Sequence, residues 1–224
     1  MAETAEDQFT RTMQGVEVPT PGDWVFDTAH TNLMFIARYA MLTRVRGHFN
    51  SFEGIIHVAE RPEESSVELT IDASSITTDN DMRDNHLRSG DFLDLENHPT
   101  ITFRSSKVEV LGADRLRVTG DLTVRGVTKE VLLDTEYAGT AKDGYGRTRV
   151  AFSARTEIDR DQFGVSWNMA LEAGGVLVGK KVQIELEVQA LPEAGRESEL
   201  NRADTGVARW RVRATQRPAF NSPD

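Results

Sequence analysis

The chain contains no cysteine. That excludes a disulfide framework, a thiolate metal site and a cysteine nucleophile. It also has no apolar run approaching the ~20 residues that a membrane-spanning helix needs, so no transmembrane segment is expected. The first 24 residues lack a basic start followed by an apolar stretch. No secretory signal is read there, and the expected compartment is the cytoplasm. Positive charge is in the minority, with 26 Lys and Arg against 36 Asp and Glu and a net charge of −10. Such a chain repels phosphate backbones, so nucleic acid is not an expected partner. The same field works against docking on an anionic membrane, except through a local basic segment. Hydrophobic residues make up 38% of the 224, which fits one sizeable core with polar tails better than two cores.

Several familiar chemical signatures are missing. Gly174 and Gly179-Lys180 have the spacing of a phosphate-binding loop. Lys181, however, stands where the motif needs Ser or Thr, and a strand pattern follows where a helix should begin. The five histidines, His30, His48, His57, His86 and His98, include no pair two or four residues apart, so there is no local metal-ligand pair. Asp79-x-Asp81 starts like a calcium loop but has Asp84 in place of the required glycine. Ser89 lies near His86 and Asp91, yet no Gly-x-Ser-x-Gly turn presents a serine nucleophile. No cofactor and no metal are expected.

What is present is alternation. Val182-Gln183-Ile184-Glu185-Leu186-Glu187-Val188-Gln189 alternates apolar and polar side chains, as a strand does when one face meets a core and the other water. Val67–Asp72, Arg115–Thr119, Leu122–Val124, Val131–Tyr137, Val150–Phe152 and Ile101–Phe103 read the same way. Gly120 interrupts one run, where a bulge or bend is expected. Gly112-Ala113-Asp114, Arg125-Gly126 and Lys142-Asp143-Gly144 separate runs with turn chemistry. A sheet this long, apolar on one face, must curl into a barrel or pair into a sandwich. The one helix expected runs from about Asn80 to Arg88, with Thr78 and Asp79 offering capping oxygens and Ser89-Gly90 ending it. Residues 1–22 read as a disordered acidic tail, 23–192 as the domain, and 193–224 as a flexible tail that carries six arginines, four of them in Arg209–Arg217 around Trp210.

Six blocks resemble the YceI family of lipocalin-like proteins. They are Trp24-x-x-Asp27-x-x-His30-Thr31; Arg46-Gly47-x-Phe49-x-x-Phe52-x-Gly54; the stretch from Ser75-Ile76 through Asn80, Arg83-Asp84 and His86-Leu87-Arg88-Ser89 to Asp91-Phe92; Pro99-x-Ile101-x-Phe103; Gly120-Asp121-Leu122 with Arg125-Gly126-Val127-Thr128; and Arg160-x-x-Phe163-Gly164-Val165. The resemblance implies an all-β fold, an extended eight-stranded antiparallel lipocalin-like barrel with one short capping helix. It also implies a non-enzymatic protein that carries, stores or senses a long-chain isoprenoid lipid, of polyprenyl phosphate or quinone-like kind. Family members often form dimers, so a homodimer is an assembly the resemblance allows. Many members have a histidine where this chain has Tyr39.

The inward-facing sets on this reading are Phe35, Ala37 and Tyr39; Val67, Leu69 and Ile71; Leu122 and Val124; and Ile184 and Leu186. Periodicity fits a closed core as well as a cavity, and it is the resemblance that points to lipid contact. Arg83, His86 and Arg88 are the candidates for a phosphate or carbonyl head group, because Arg forks two hydrogen bonds and His adds one. The same cluster could instead tie the helix to the barrel. Two further readings stay open: a small-molecule hydrolase or isomerase using the same cavity, and a structural or interaction domain with a filled core.

Overall fold

Alternation builds walls only where strands find partners, and here each run finds two. The computed structural model describes residues 9–193, Gln14 and Ala173 excepted. A small hairpin comes first, β1 (Thr10–Met13) with β2 (Val16–Pro19). There follow β3 (Gly22–Phe26), β4 (Asn32–Tyr39), β5 (Thr43–Phe49), β6 (Phe52–Val58), β7 (Ser66–Asp72) and β8 (Ile76–Thr77). After helix α1 (Asp81–Arg88) come β9 (Thr100–Val110), β10 (Arg115–Val124), β11 (Val127–Lys142), β12 (Thr148–Asp159) and β13 (Val178–Pro192).

Three neighbouring pairs are single bent strands. β3 and β4 both run antiparallel to β13, with Trp24 opposite Pro192 and Tyr39 opposite Val178. At their bend, Thr31 exchanges two hydrogen bonds with the main chain of Gln189, and the Asp27 amide donates to the Gln189 carbonyl. Arg149 pairs with Asp27 across the same bend. β5 and β6 break at Asn50-Ser51, and β7 and β8 at a short 3₁₀ turn over Ala73–Ser75. Counting each bent pair once, eight antiparallel strands follow in sequence order, each paired with the next, and β13 pairs with β3 and β4 to close the barrel. Closure separates barrel from sandwich and removes the exposed sheet edges.

The glycine reading at 120 has a specific cause. A Cβ on Gly120 would lie 2.5 Å from the Arg104 carbonyl oxygen and 2.6 Å from the Phe103 ring. There β9 steps over one residue, so Lys107 faces Thr119 while Ser105 faces Gly120. The bulge lets Phe103 and Val108, an odd number of residues apart, both turn inward. Arg125-Gly126 forms the expected two-residue turn, both with positive φ, 50° and 71°.

Two expectations are corrected. The helix cap is Asn80, whose side chain accepts from the Arg83 amide. Thr78 is not available for capping because it donates to Asp84 from both its amide and its hydroxyl. Within residues 1–22, expected as a disordered tail, Thr10–Met13 and Val16–Pro19 pair as the β1–β2 hairpin, where Met13, Val16 and Val18 have apolar surface to bury, and residues 1–8 lie outside the described residues. The expected tail at 193–224 and the arginines around Trp210 lie outside the described residues.

Candidate functional site

The two ends of the barrel differ. At one end, the segment between β8 and β9 folds over the opening. Leu87, Phe92, Leu93 and Leu95 enter the main core there with Phe163, Val165 and Trp167. His86, Phe92 and Trp167 meet ring to ring at 4.7 to 5.3 Å. Arg160 locks the loop after β12 against this end. Buried, it donates to the carbonyls of Val165, Trp167, Val178 and Gly179. Burial pulls its pKa below the usual guanidinium value, against the pull of Asp161 and Asp159.

Asp84 anchors the helix at this same end. It is 4% exposed and accepts hydrogen bonds from Thr77 and Thr78. Burial pushes its carboxyl up, but those hydrogen bonds, with help from the charge of Arg88, hold it below the usual range. A carboxylate with a depressed folded pKa adds stability that is complete above the unfolded value of about 3.9 and is lost as pH falls through the folded one. Asp84→Asn is therefore expected to cost ~1–3 kcal/mol at pH 7. The deficit should shrink below about pH 4, as read by urea denaturation at pH 7 and pH 3. A deficit equal at both pH values would contradict this account.

At the other end the barrel is hollow. A cavity of about 280 Å³ lies among residues of β3, β6, β7 and β9 to β13. Its walls are Phe26, Ile56, Val67, Leu69, Phe103, Val108, Leu116, Val118, Leu133, Phe152, Ala154, Leu186 and Val188. Gly54 makes room for the Phe26 ring, since a Cβ there would lie 2.6 Å from it. Ser65, Ser66, Thr135 and Tyr137 add polar side chains to the lining, and its charged residues are Arg11 and Glu63.

The β1–β2 hairpin sits over this opening, and Arg11, Met13, Val16, Val18 and Pro19 complete the lining. Arg11 fastens it: the guanidinium pairs with Glu60 and donates to the carbonyls of Ala59 and Glu60. A second cluster of Trp24, Val150 and Ala190 packs beside the opening, with Phe9 edge-on to Trp24.

Of the residues singled out from sequence, Val67, Leu69 and Leu186 line the cavity. Ile71 and Leu122 belong to the packed core, and Phe35, Val124 and Ile184 pack against it. Ala37 lies on β4 between Val45 and Val182, and Tyr39 is 47% exposed. Arg83, His86 and Arg88 stand at the packed end and are not among the cavity residues. Arg83 donates to the Thr78 hydroxyl and carbonyl, and Arg88 to the carbonyls of Ser74 and Ile76. His86 pairs with Asp91 at 2.8 Å. The Ser89 hydroxyl donates to the His86 carbonyl, away from the imidazole. Among the described residues, no three His, Asp or Glu side chains gather as a metal site would require. None of the described helices is long and apolar enough to cross a membrane.

The cavity residues contributed by the hairpin were missed, although Val16-Glu17-Val18 alternates. Three residues of alternation are too few to stand out from a polar tail.

Known proteins share this architecture. A YceI-like domain model matches residues 24–190. The UPF0312 protein SAB2563 of Staphylococcus aureus (strain bovine RF122 / ET3-1) is 36% identical over 170 residues, covering 75% of this chain and 96% of that protein. Burkholderia cenocepacia BcnA superposes with a TM-score of 0.65 at 22% identity, over 73% of this chain and 98% of that one. A polyisoprenoid binding domain from Saccharophagus degradans gives a TM-score of 0.54 at 15% identity, over 77% and 99%. At such identities the two structures bear on the fold alone. The matched stretch begins after the β1–β2 hairpin and takes in the whole barrel except its first two and last two residues, and on that match the chain belongs to the YceI-like domain family.

Proposed function

We propose that the barrel binds a long-chain isoprenoid-type lipid, polyprenyl phosphate or quinone-like, as a carrier, store or sensor, and that it performs no catalysis on it. The observation that carries this reading is the apolar cavity beneath the hairpin. About 280 Å³ falls just below the ~300–1,000 Å³ of sites for drug-sized ligands, which suits a slender chain. Each methylene transferred from water to such walls is worth ~0.8 kcal/mol, so a few prenyl units give useful affinity with no reaction. The Saccharophagus degradans polyisoprenoid binding domain, of the same fold, supports the assignment.

Protein purified gently and examined by native mass spectrometry is expected to carry a long-chain lipid, identified in an organic extract. Protein that emerges empty and takes up no added prenyl lipid would end the proposal.

A further inference from the structure

The packed end of the barrel bears a feature that the cavity does not use. The turn between β4 and β5 holds Ala40 and Met41 at φ 50° and 61°, a conformation that residues with a Cβ seldom adopt. The tip shows its apolar side chains to water: Leu42 is 81% exposed, Met41 51% and Tyr39 47%, and Met169 on the neighbouring loop is 55% exposed. Met41 reaches that loop at Gly175, and the Ala40 amide donates to the Leu177 carbonyl.

Cations stand directly behind the tip. Arg38 of β4 faces Arg44 of β5, and Arg46 follows one step further along the same face, opposite Ile36. Like charges placed opposite each other across strands are unfavourable. All three arginines are exposed, and none forms an ion pair among the described residues. Lys180 and Lys181 on β13, by contrast, are held by Asp161 and Glu157. Glu172 on the neighbouring loop is exposed as well, and Glu185 of β13 lies further along the same face, opposite Met34. A chain of net charge −10 has thus gathered three unpaired cations around one apolar projection.

We propose that this hairpin tip docks the protein on an anionic lipid surface, with Met41 and Leu42 entering the interface and Arg38, Arg44 and Arg46 meeting the head groups. Charge complementarity selects the partner, and shape supports it. A stable protein interface needs ~800 Å² on each side, whereas a narrow tip of a few side chains suits shallow insertion among head groups. Charges that merely guard a strand edge against pairing would account for the arginines and leave the exposed Met41 and Leu42 unexplained. The docking does not depend on what occupies the cavity.

The test is co-sedimentation of the full chain with vesicles of phosphatidylcholine alone and of phosphatidylcholine containing phosphatidylglycerol. Binding to the anionic vesicles is expected, with loss as salt is raised and little association with the neutral ones. Each arginine near such a surface contributes roughly a fivefold gain, so Arg38→Gln, Arg44→Gln and Arg46→Gln together should weaken binding roughly a hundredfold. Met41→Ser with Leu42→Ser should weaken it too, and all five positions are exposed, so circular dichroism should stay unchanged. The salt series on the unaltered protein keeps the test decisive if a variant fails to fold. No binding to anionic vesicles, equal binding to both kinds, or binding that survives both sets of substitutions would overturn the proposal. So would a dimer that dissociates on Met41→Ser with Leu42→Ser in protein that ignores vesicles, since the tip would then be a face between two copies.

Discussion

Val118→Trp combined with Val188→Trp is expected to weaken binding of a labelled prenyl lipid about a thousandfold while the barrel stays folded. The two valines project into the cavity from different walls, β10 and β13, and both remain slightly accessible from inside. Two indoles would take up most of the space. Excluding about five methylenes at ~0.8 kcal/mol each removes ~4 kcal/mol of transfer energy, and every 1.4 kcal/mol is about tenfold in affinity. Large residues forced into a full core cost ~1–3 kcal/mol, but here the space already exists, so the loss of stability should be small. Fluorescence titration reads the affinity and thermal denaturation the fold. Unchanged affinity in a folded double variant would place the ligand somewhere other than this cavity.

Arg160→Met is expected to lower stability by about 3–4 kcal/mol. The guanidinium serves four carbonyls from two segments, Val165 and Trp167 on one side and Val178 and Gly179 on the other. Methionine matches much of the stem and none of the donors, so buried acceptors lose their partners. Arg160→Lys keeps the charge but not the planar fork and should fall between the two. Urea denaturation measures the difference, and Trp167 fluorescence should report loosening at the packed end first. A loss below ~1 kcal/mol would mean that these carbonyls find other donors without difficulty.

Local rules in the sequence carried much of the barrel. The run Val182–Gln189 alternates because β13 pairs on both sides and turns one face inward, half-buried at Val182, Ile184 and Leu186 and buried at Val188. Arg125-Gly126 and the stretch before Gly90 were legible because turns and helix ends are decided by a few neighbouring residues. The helix cap was misread for a tertiary reason: the buried Asp84 carboxylate engages Thr78, which leaves capping to Asn80.

The position of the cavity was less legible. Side-chain parity tells which residues face inward, and Ile71 and Leu122 do so as surely as Leu69 and Val118. Whether they meet other side chains or open space depends on which end receives the segment between β8 and β9. That is settled by closure of the whole barrel, with sequence-distant groups such as Phe92, Phe163 and Trp167 arriving together. Arg83, His86 and Arg88 have the chemistry of an anion site, and in the fold that chemistry is spent on main-chain carbonyls and on Asp91.

The β1–β2 hairpin pairs only with itself and forms a sheet separate from the barrel. Its side-chain fastening to the rim at Glu60 is a contact that can open without breaking any ladder of the wall. On the lipid-binding reading proposed above, substitutions that loosen the Arg11–Glu60 pair are expected to speed lipid release, as stopped-flow measures it, while tightness of binding is set by the walls beneath. On that reading residence time and equilibrium affinity become separately adjustable, the first by substitutions in a segment that precedes the stretch matched by the family model.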